Sequence, residues 1–356
     1  MAYTTINKPS LQFNTLTYAG DGTSPRSVTG VGFQPDFVWI RNRTQAGDSG
    51  LYDSIRGAGN NKDLVSETTG AEGAGGGDGY GYLSAFNSDG FSLTAGTVGS
   101  DITNKSGSNY VTWNWKANGS GSSNNSGTIT STVSANTTSG FSIVTYTGNG
   151  TSGATVGHGL GVAPSMIIEK GRSVTDDWLI YHKSLGATYG LALNNTTAAA
   201  TSTGYWNDTA PTSSVFSIGN NGKVNTSGGT HVAYCFAEVK GYSKFGSYTG
   251  NGNADGTFVY TGFKPAFVIM KRSDSADNWL MKDSVRDSYN LANKRLYPNQ
   301  NAGEDTSVNG SIDILSNGFK QRGSDTLTNG SGGTYIYMAF AEQPLVGTNN
   351  VPATAR

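Results

Sequence analysis

The feature that most constrains this chain is a glycine-rich stretch that occurs three times. Its clearest copy is residues 245–272, FGSYTGNGNADGTFVYTGFKPAFVIMKR, and two related copies precede it. The tyrosines at the start of the copies, Tyr18, Tyr146 and Tyr248, lie 128 and then 102 residues apart. These spacings exceed the periods of about 20 to 50 residues of solenoid repeats, so each copy is predicted to open a separate domain.

The composition favours many short strands joined by tight turns. Glycine accounts for 51 of 356 residues, and aromatic residues for 11%, in compact apolar clusters that disordered chains lack. Only 14% of residues are charged and the net charge is −1, so we expect no nucleic-acid partner. We find neither a signal peptide nor a run of about 18 apolar residues, and we expect no membrane insertion.

The repeated order of strand-like segments predicts an all-β fold of three tandem antiparallel β-sandwich domains. Phe37–Arg41 is an unbroken apolar run that predicts a strand covered on both faces. We expect independent sandwiches in a row, the first on a looser tether than the other two. The predicted parts are an N-terminal arm (1–10), the first repeat (11–119), a flexible linker (120–126), the second repeat (127–241), the third repeat (242–345) and a C-terminal tail (346–356).

The N-terminal arm is polar and has no core of its own. Such an arm usually lies on a neighbouring molecule. We therefore expect Tyr3, Ile6 and Pro9 to attach the chain to a partner.

Two motifs resemble catalytic or cofactor sites but are better explained as turns. Gly148–Gly153 matches the spacing G-x-G-x-x-G, yet no helix follows it to receive a pyrophosphate. Gly47–Gly50 reads GDSG, yet the first repeat contains no histidine to activate a serine. We expect no cofactor and no enzyme activity.

A metal site is not expected either. His158, His182 and His231 all lie in the second repeat, but none has the close spacing of metal ligands. Asp53–Arg56 and Asp283–Arg286 share one place in their repeats and are interpreted as structural turns, with a polar ligand-contact loop as the alternative.

Aromatic residues fall into two groups. Those that coincide between repeats, such as Trp115, Phe236 and Phe340, are predicted to be core residues. Aromatics in loops that do not repeat are candidates for stacking on a sugar or a partner. These candidates are Tyr80, Tyr82, Trp206, Tyr289 and Tyr297.

The repeated motifs also resemble a known family. YTGNG, GFKPAFV, a tryptophan followed by D-S-x-R, LSNGFK and YIYMAFAE resemble a domain of uncharacterised function that recurs in structural proteins of tailed bacteriophages, notably marine ones. The resemblance covers residues 11–345. It implies a virion component with a lectin-like jelly-roll sandwich, and it supplies no catalytic residues.

The resulting expectation is a structural protein of the virion surface, assembled in the host cytoplasm. It would act as a tail-fibre-like adhesin through weak multivalent binding to a host surface glycan or protein. We expect it to contact other virion proteins through the arm and to form a homo-oligomer. The alternatives are a capsid decoration or cement protein and, third, a glycan depolymerase.

Overall fold

The computed structural model describes residues 3–98, 102–347 and 352–354, and it confirms an all-β protein of antiparallel sheets. Residues 1–2 of the predicted arm, and residues 348–351 and 355–356 of the predicted tail, lie outside the described residues. The helical segments are single turns: α1 (Thr203–Trp206), α2 (Gly222–Asn225) and the 3₁₀ turns Pro9–Leu11 and Gly77–Gly79.

The first repeat is a two-sheet sandwich. Its strands are β1 (Phe13–Ala19), β2 (Arg26–Thr29), β3 (Phe37–Asn42), β4 (Gly50–Asp53), β5 (Tyr82–Asn87), β6 (Gly90–Thr94) and β7 (Asn109–Trp115). An inner sheet has the order β1-β7-β3-β4, and an outer sheet has the order β2-β6-β5. Along β3, Phe37 and Trp39 face away from the outer sheet while Val38 and Ile40 pack under it. The apolar run is therefore covered on both faces, as predicted.

The second repeat has the longest sheet. Its strands are β8 (Ser122–Asn124), β9 (Ser131–Asn136), β10 (Phe141–Thr147), β11 (Ala154–Gly157), β12 (Met166–Gly171), β13 (Leu179–His182), β14 (Tyr189–Ala192), β15 (Ala200–Thr201), β16 (Val215–Ile218) and β17 (Thr230–Phe236). The inner sheet has the order β15-β14-β13-β12-β17-β10-β9-β8, and β11 pairs with β16 outside it.

The predicted linker is part of this sheet. Ser122, Ser123 and Asn124 pair with β9. The expectation of a flexible linker at 120–126 is therefore wrong, because backbone hydrogen bonds to a sheet edge hold a segment that has no apolar side chain.

The third repeat follows the plan of the first. Its strands are β18 (Ser243–Thr249), β19 (Phe258–Tyr260), β20 (Phe263–Arg272), β21 (Trp279–Asp283), β22 (Lys294–Arg295), β23 (Asp305–Thr306), β24 (Ile312–Leu315), β25 (Gly318–Gln321) and β26 (Thr334–Pro344). The inner sheet has the order β18-β26-β20-β21, the outer sheet the order β19-β25-β24, and β22 pairs with β23.

The three inner sheets share one core. Trp115, Phe236 and Phe340 meet there, with ring centroids 5.8 to 6.1 Å apart for each of the three pairs. Each inner sheet has apolar side chains on both faces, and only one face is covered by its own outer sheet. The expectation of independent sandwiches in a row is wrong, because the second face is buried against the other two repeats.

The contacts between repeats, which we call seams, are cyclic. The same backbone hydrogen bond occurs at each seam: Asp176 N–H to Thr69 O (3.0 Å), Asp277 N–H to Thr196 O (2.9 Å) and Gly47 N–H to Asn301 O (2.9 Å). The second repeat thus contacts the first, the third contacts the second, and the first contacts the third. The chain forms a closed ring about a pseudo-threefold axis.

Ion pairs reinforce two of the seams. Arg172 pairs with Glu72 between the second and first repeats, and Arg43 pairs with Glu304 at 2.8 Å between the first and third. The equivalent positions between the third and second repeats are Ser273 and Ala199, which share only a backbone hydrogen bond of 2.9 Å.

Candidate functional site

A buried cation crosses each seam. Arg41, Lys170 and Lys271 hold the same position on β3, β12 and β20. Each donates to backbone carbonyl oxygens of the neighbouring repeat: Lys170 to Thr69 (3.0 Å), Lys271 to Thr196 (3.3 Å), and Arg41 to Gln300 (2.5 Å) and Ala302 (2.6 Å). Burial lowers the pKa of both lysines to about 8. Sequence reasoning missed this set, although the basic residue at the end of each repeated strand was a signal for it.

The Asp53–Arg56 motif folds as a structural turn, as expected. Asp53 Oδ1 accepts a hydrogen bond from the backbone N–H of Arg56 at 2.9 Å, and the two side chains form a fully buried ion pair. Tyr234 of the second repeat donates its hydroxyl to Asp53 Oδ2 at 2.8 Å. The motif therefore joins the first repeat to the second. The alternative of a ligand-contact loop is wrong, because neither side chain reaches solvent.

The second copy of the motif joins the third repeat to the first. Trp113 Nε1 donates to Asp283 Oδ2 at 3.2 Å, and the Arg286 guanidinium lies 5.6 Å from the centroid of the Trp113 ring. Glu304 pairs with Arg286 at 3.1 Å. Trp113 and Tyr234 occupy equivalent strand positions, so the two contacts follow the pseudo-symmetry.

The second repeat has His182 where the others have the aspartate. Its Nε2 lies 3.1 Å from the carbonyl oxygen of Tyr337 in the third repeat, and its Nδ1 accepts from the backbone N–H of Ser184 at 3.2 Å. Burial lowers the pKa of His182 to about 4, so the imidazole is neutral near neutral pH and donates through Nε2. All three seams therefore carry a buried side-chain contact at this position.

The remaining histidines are also buried. His158 Nε2 lies 3.2 Å from the carbonyl oxygen of Thr212, and His231 Nδ1 lies 2.7 Å from Glu169 Oε1. The Glu169 and His231 side chains expose 0% of their surface, and burial raises the pKa of Glu169. Among the described residues, no group of three or more histidine, cysteine or acidic side chains could hold a metal ion.

A carboxylate pair distinguishes the seam between the first and third repeats. Asp48 and Glu67 line a pocket of about 390 Å³ there, and Glu67 also pairs with Arg41 at 3.0 Å. Burial raises the pKa of both carboxyl groups. The equivalent residues of the second repeat are Asp177 and Asn194. Asn194 Nδ2 donates a hydrogen bond to Asp177 Oδ1 at 2.8 Å, so a donor faces an acceptor there. The first repeat instead places one carboxylate beside another.

A buried asparagine fixes each of the glycine turns that open the repeats. Asn225 accepts from the backbone N–H groups of Asn149 and Gly150 at 2.8 and 3.1 Å. Asn104 and Asn329 make equivalent contacts in the other two repeats. Each precedes the last strand of its repeat in an N-x-S-G sequence, a signal that sequence reasoning missed. The glycine turns are therefore parts of the scaffold.

Two of the five candidate aromatics are buried. Trp206 exposes 1% and Tyr297 exposes 7% of their surface, so the prediction of ligand contact is wrong for both. Each belongs to the core between the sheets of its own repeat. Tyr80 and Tyr82 are half-buried, and Tyr289 exposes 80%. The structure therefore leaves three of the candidates accessible, in the first and third repeats.

The N-terminal arm lies on its own chain. Ile6 exposes 4% and belongs to the shared core, and Pro9 is buried. Tyr3 donates its hydroxyl to the carbonyl oxygen of Gly262 in the third repeat at 2.7 Å. The expectation is wrong for Ile6 and Pro9, because the arm buries these two side chains against the repeats, whereas Tyr3 is only half-buried and its attachment role stays a prediction.

Beside the arm is a groove of about 710 Å³, which we call the arm groove. Its lining residues are Tyr3, Thr4, Thr5, Thr137, Thr138, Val162, Glu238, Val239 and Lys240. The Lys240 ammonium lies 5.0 Å from the centroid of the Tyr3 ring, and burial raises the pKa of Tyr3 to about 12. Val162 exposes 52% of its surface. The groove thus combines an aromatic ring, a cation and exposed apolar surface.

These features define an all-β protein whose three sandwich repeats close on one core. The chain belongs to a family described as a domain of unknown function, DUF7483, whose model matches residues 8–344. A single family model spans all three repeats, in agreement with the shared core. The predicted membership of a family of uncharacterised function is confirmed, and the link to bacteriophages stays a prediction. No curated protein and no solved structure matches the chain.

In the described part of the chain, no helix has the length and apolar character needed to cross a bilayer.

Proposed function

We propose that this chain is a structural protein of the bacteriophage virion surface that acts as a tail-fibre-like adhesin. The observation that carries the proposal is that three repeats share one core but present different loops. The first has a glycine-rich loop at 70–81, the second has α1, and the third has the β22–β23 hairpin. Many copies of such a body, each making weak contacts with a host glycan or protein, would gain strength through avidity.

The arm groove is the proposed attachment surface toward other virion proteins. Tyr3 and Lys240 offer a ring and a cation, and Val162 offers exposed apolar surface. Anchoring residues at protein interfaces are commonly aromatic and apolar. The homo-oligomer remains part of the proposal. It would form through outer surfaces, since the inner faces of the sheets are already buried within one chain.

Two experiments test this function. Gold-labelled antibody against the chain should mark the tail or fibres of particles, and the purified chain should compete with particles for adsorption to host cells. Labelling of the head, together with a deletion that weakens particles without reducing adsorption, would favour a decoration protein. Release of sugars from host polysaccharide by the purified chain would favour the depolymerase.

A further inference from the structure

We propose that a pocket on the second repeat binds a neutral pyranose sugar, with the ring of Tyr189 as its platform. This inference deepens the proposed function and rests on it only for the biological source of the sugar.

The pocket is built on paired strands. It has a volume of about 500 Å³ and is lined by Thr188, Tyr189, Thr201, Ser202, Thr203 and Asp208. Tyr189 on β14 lies directly opposite Thr201 on β15. The backbone N–H of Ser202 donates to the carbonyl oxygen of Thr188 at 3.1 Å. The backbone that carries the ring and the hydroxyl groups is therefore fixed by strand pairing, and the Ser202 hydroxyl accepts a hydrogen bond from the backbone N–H of Gly204 at 3.1 Å.

The aromatic residue is specific to this repeat. The residues equivalent to Tyr189 in the first and third repeats are Lys62 and Lys294. Lys62 lies 3.5 Å from Glu72, and Lys294 donates to the carbonyl oxygen of Arg286. Among the described residues, the Tyr189 side chain has no such contact, and the residue exposes 38% of its surface at the pocket. The fold does not require an aromatic residue here, so its presence calls for another explanation.

Asp208 supplies the charged group of the pocket. Within the described residues its carboxylate has no hydrogen-bond or ion-pair partner, and the residue is exposed. Asn207 and Asp208 both have left-handed backbones, with φ of 52° and 48°. Asn207 is the left-handed C-cap of α1, a conformation that asparagine and aspartate adopt more readily than other non-glycine residues. This turn places Asp208 at the rim of the pocket.

The chemistry of these groups fits a sugar. A pyranose presents C–H groups on one face and hydroxyls around its edge, so the face can pack on a tyrosine ring while the edge reaches polar groups. The free carboxylate can accept hydrogen bonds from sugar hydroxyls, and the threonine and serine hydroxyls can donate or accept. A carboxylate repels anionic sugars, so we infer that the ligand is neutral.

Saturation-transfer NMR on the full chain tests the site. The probes are glucose, galactose, mannose and N-acetylglucosamine, with N-acetylneuraminic acid as the anionic comparison. We expect at least one neutral sugar to bind with a Kd of about 1 mM, as suits a shallow pocket. Tyr189→Ala should weaken this binding by about tenfold, whereas Tyr189→Phe should retain it because the ring is kept. Asp208→Asn should weaken it as well.

Phe258→Ala is the matched control, because Phe258 is an aromatic residue of similar exposure, 44%, that does not line the pocket. It should leave binding unchanged, and circular dichroism should show all four variants to be folded. The site is refuted if no neutral sugar binds, if Tyr189→Ala binds as well as the parent, or if N-acetylneuraminic acid binds equally. None of these results would affect the particle labelling that tests the proposed function.

Discussion

Replacing Trp115 with alanine tests whether the three repeats form one cooperative unit. Trp115 exposes 1% of its surface, and its ring contacts aromatic rings of all three repeats, including Phe236 at 6.1 Å and Phe340 at 5.8 Å. Removing a buried tryptophan costs about 3 to 5 kcal/mol. Rigid rings on every side prevent collapse of the cavity, so we expect a loss near about 5 kcal/mol. That is a large share of the ~5–15 kcal/mol that stabilises a typical protein.

Native-state hydrogen exchange followed by mass spectrometry locates the effect. Because the tryptophan supports all three inner sheets, Trp115→Ala should speed exchange in β7, β17 and β26, one strand from each repeat. The control is Phe91→Ala, since Phe91 is equally buried but lies between the two sheets of the first repeat. It should speed exchange mainly in β2, β5 and β6. If Trp115→Ala affected only the first repeat, the single shared core would be refuted.

Three further changes have predicted effects on urea unfolding. Introducing Ser273→Arg together with Ala199→Glu adds the ion pair that the other two seams have at the equivalent positions, and should stabilise the chain by about 0.2–1 kcal/mol. Asp48→Asn should stabilise it by about 0.5–1.5 kcal/mol at alkaline pH, because an amide can donate to the neighbouring buried carboxylate. Since burial raises the Asp48 pKa, this carboxyl favours its protonated form in the folded state, and the gain should vanish in acid. Asp53→Asn should destabilise the chain by about 3–5 kcal/mol, because the buried Arg56 loses the carboxylate to which it donates and keeps only Glu72 at 4.0 Å.

Each of these changes has its own comparison. Ser273→Arg alone should give no gain, and an equal gain would show that the ion pair is not the cause. Asp208→Asn, at an exposed carboxylate that has no partner among the described residues, should leave stability unchanged at either pH. Asp283→Asn should be less damaging than Asp53→Asn, because Glu304 still pairs with Arg286 at 3.1 Å, and a neutral result for Asp53→Asn would contradict the role given to the buried pair.

The core residues were predictable because they repeat, but their arrangement was not. Trp115, Phe236 and Phe340 coincide in register, which correctly indicates burial. An apolar strand such as β3 has the same sequence whether its second face is covered by its own repeat or by a neighbour. The choice between a row and a ring depends on contacts such as Tyr234 to Asp53, 181 residues apart, which local patterns do not encode.

Residues that do not repeat were harder to place. Trp206 has no counterpart in the other repeats, and its position in a loop suggested exposure. In the second repeat the outer layer pairs only β11 with β16, and the α1 turn that carries Trp206 packs in the same core. Trp206 fills a core position where the other two repeats have a third outer strand. Its burial therefore does not appear as a periodic pattern in the sequence. The contacts of Arg41 with Gln300 and Ala302 are equally invisible in the sequence, since these partners come from a different repeat.

The closed ring has a consequence for the order in which the chain folds. Phe340 lies on β26, so the shared core is incomplete until the third repeat has left the ribosome. Until then the third repeat does not cover the inner faces of the first two repeats. These faces include the side chains of Trp115 and Phe236. Chains with such distant contacts fold slowly and expose surface that can aggregate. Synthesis of this protein therefore includes a vulnerable interval that ends only when the third repeat arrives.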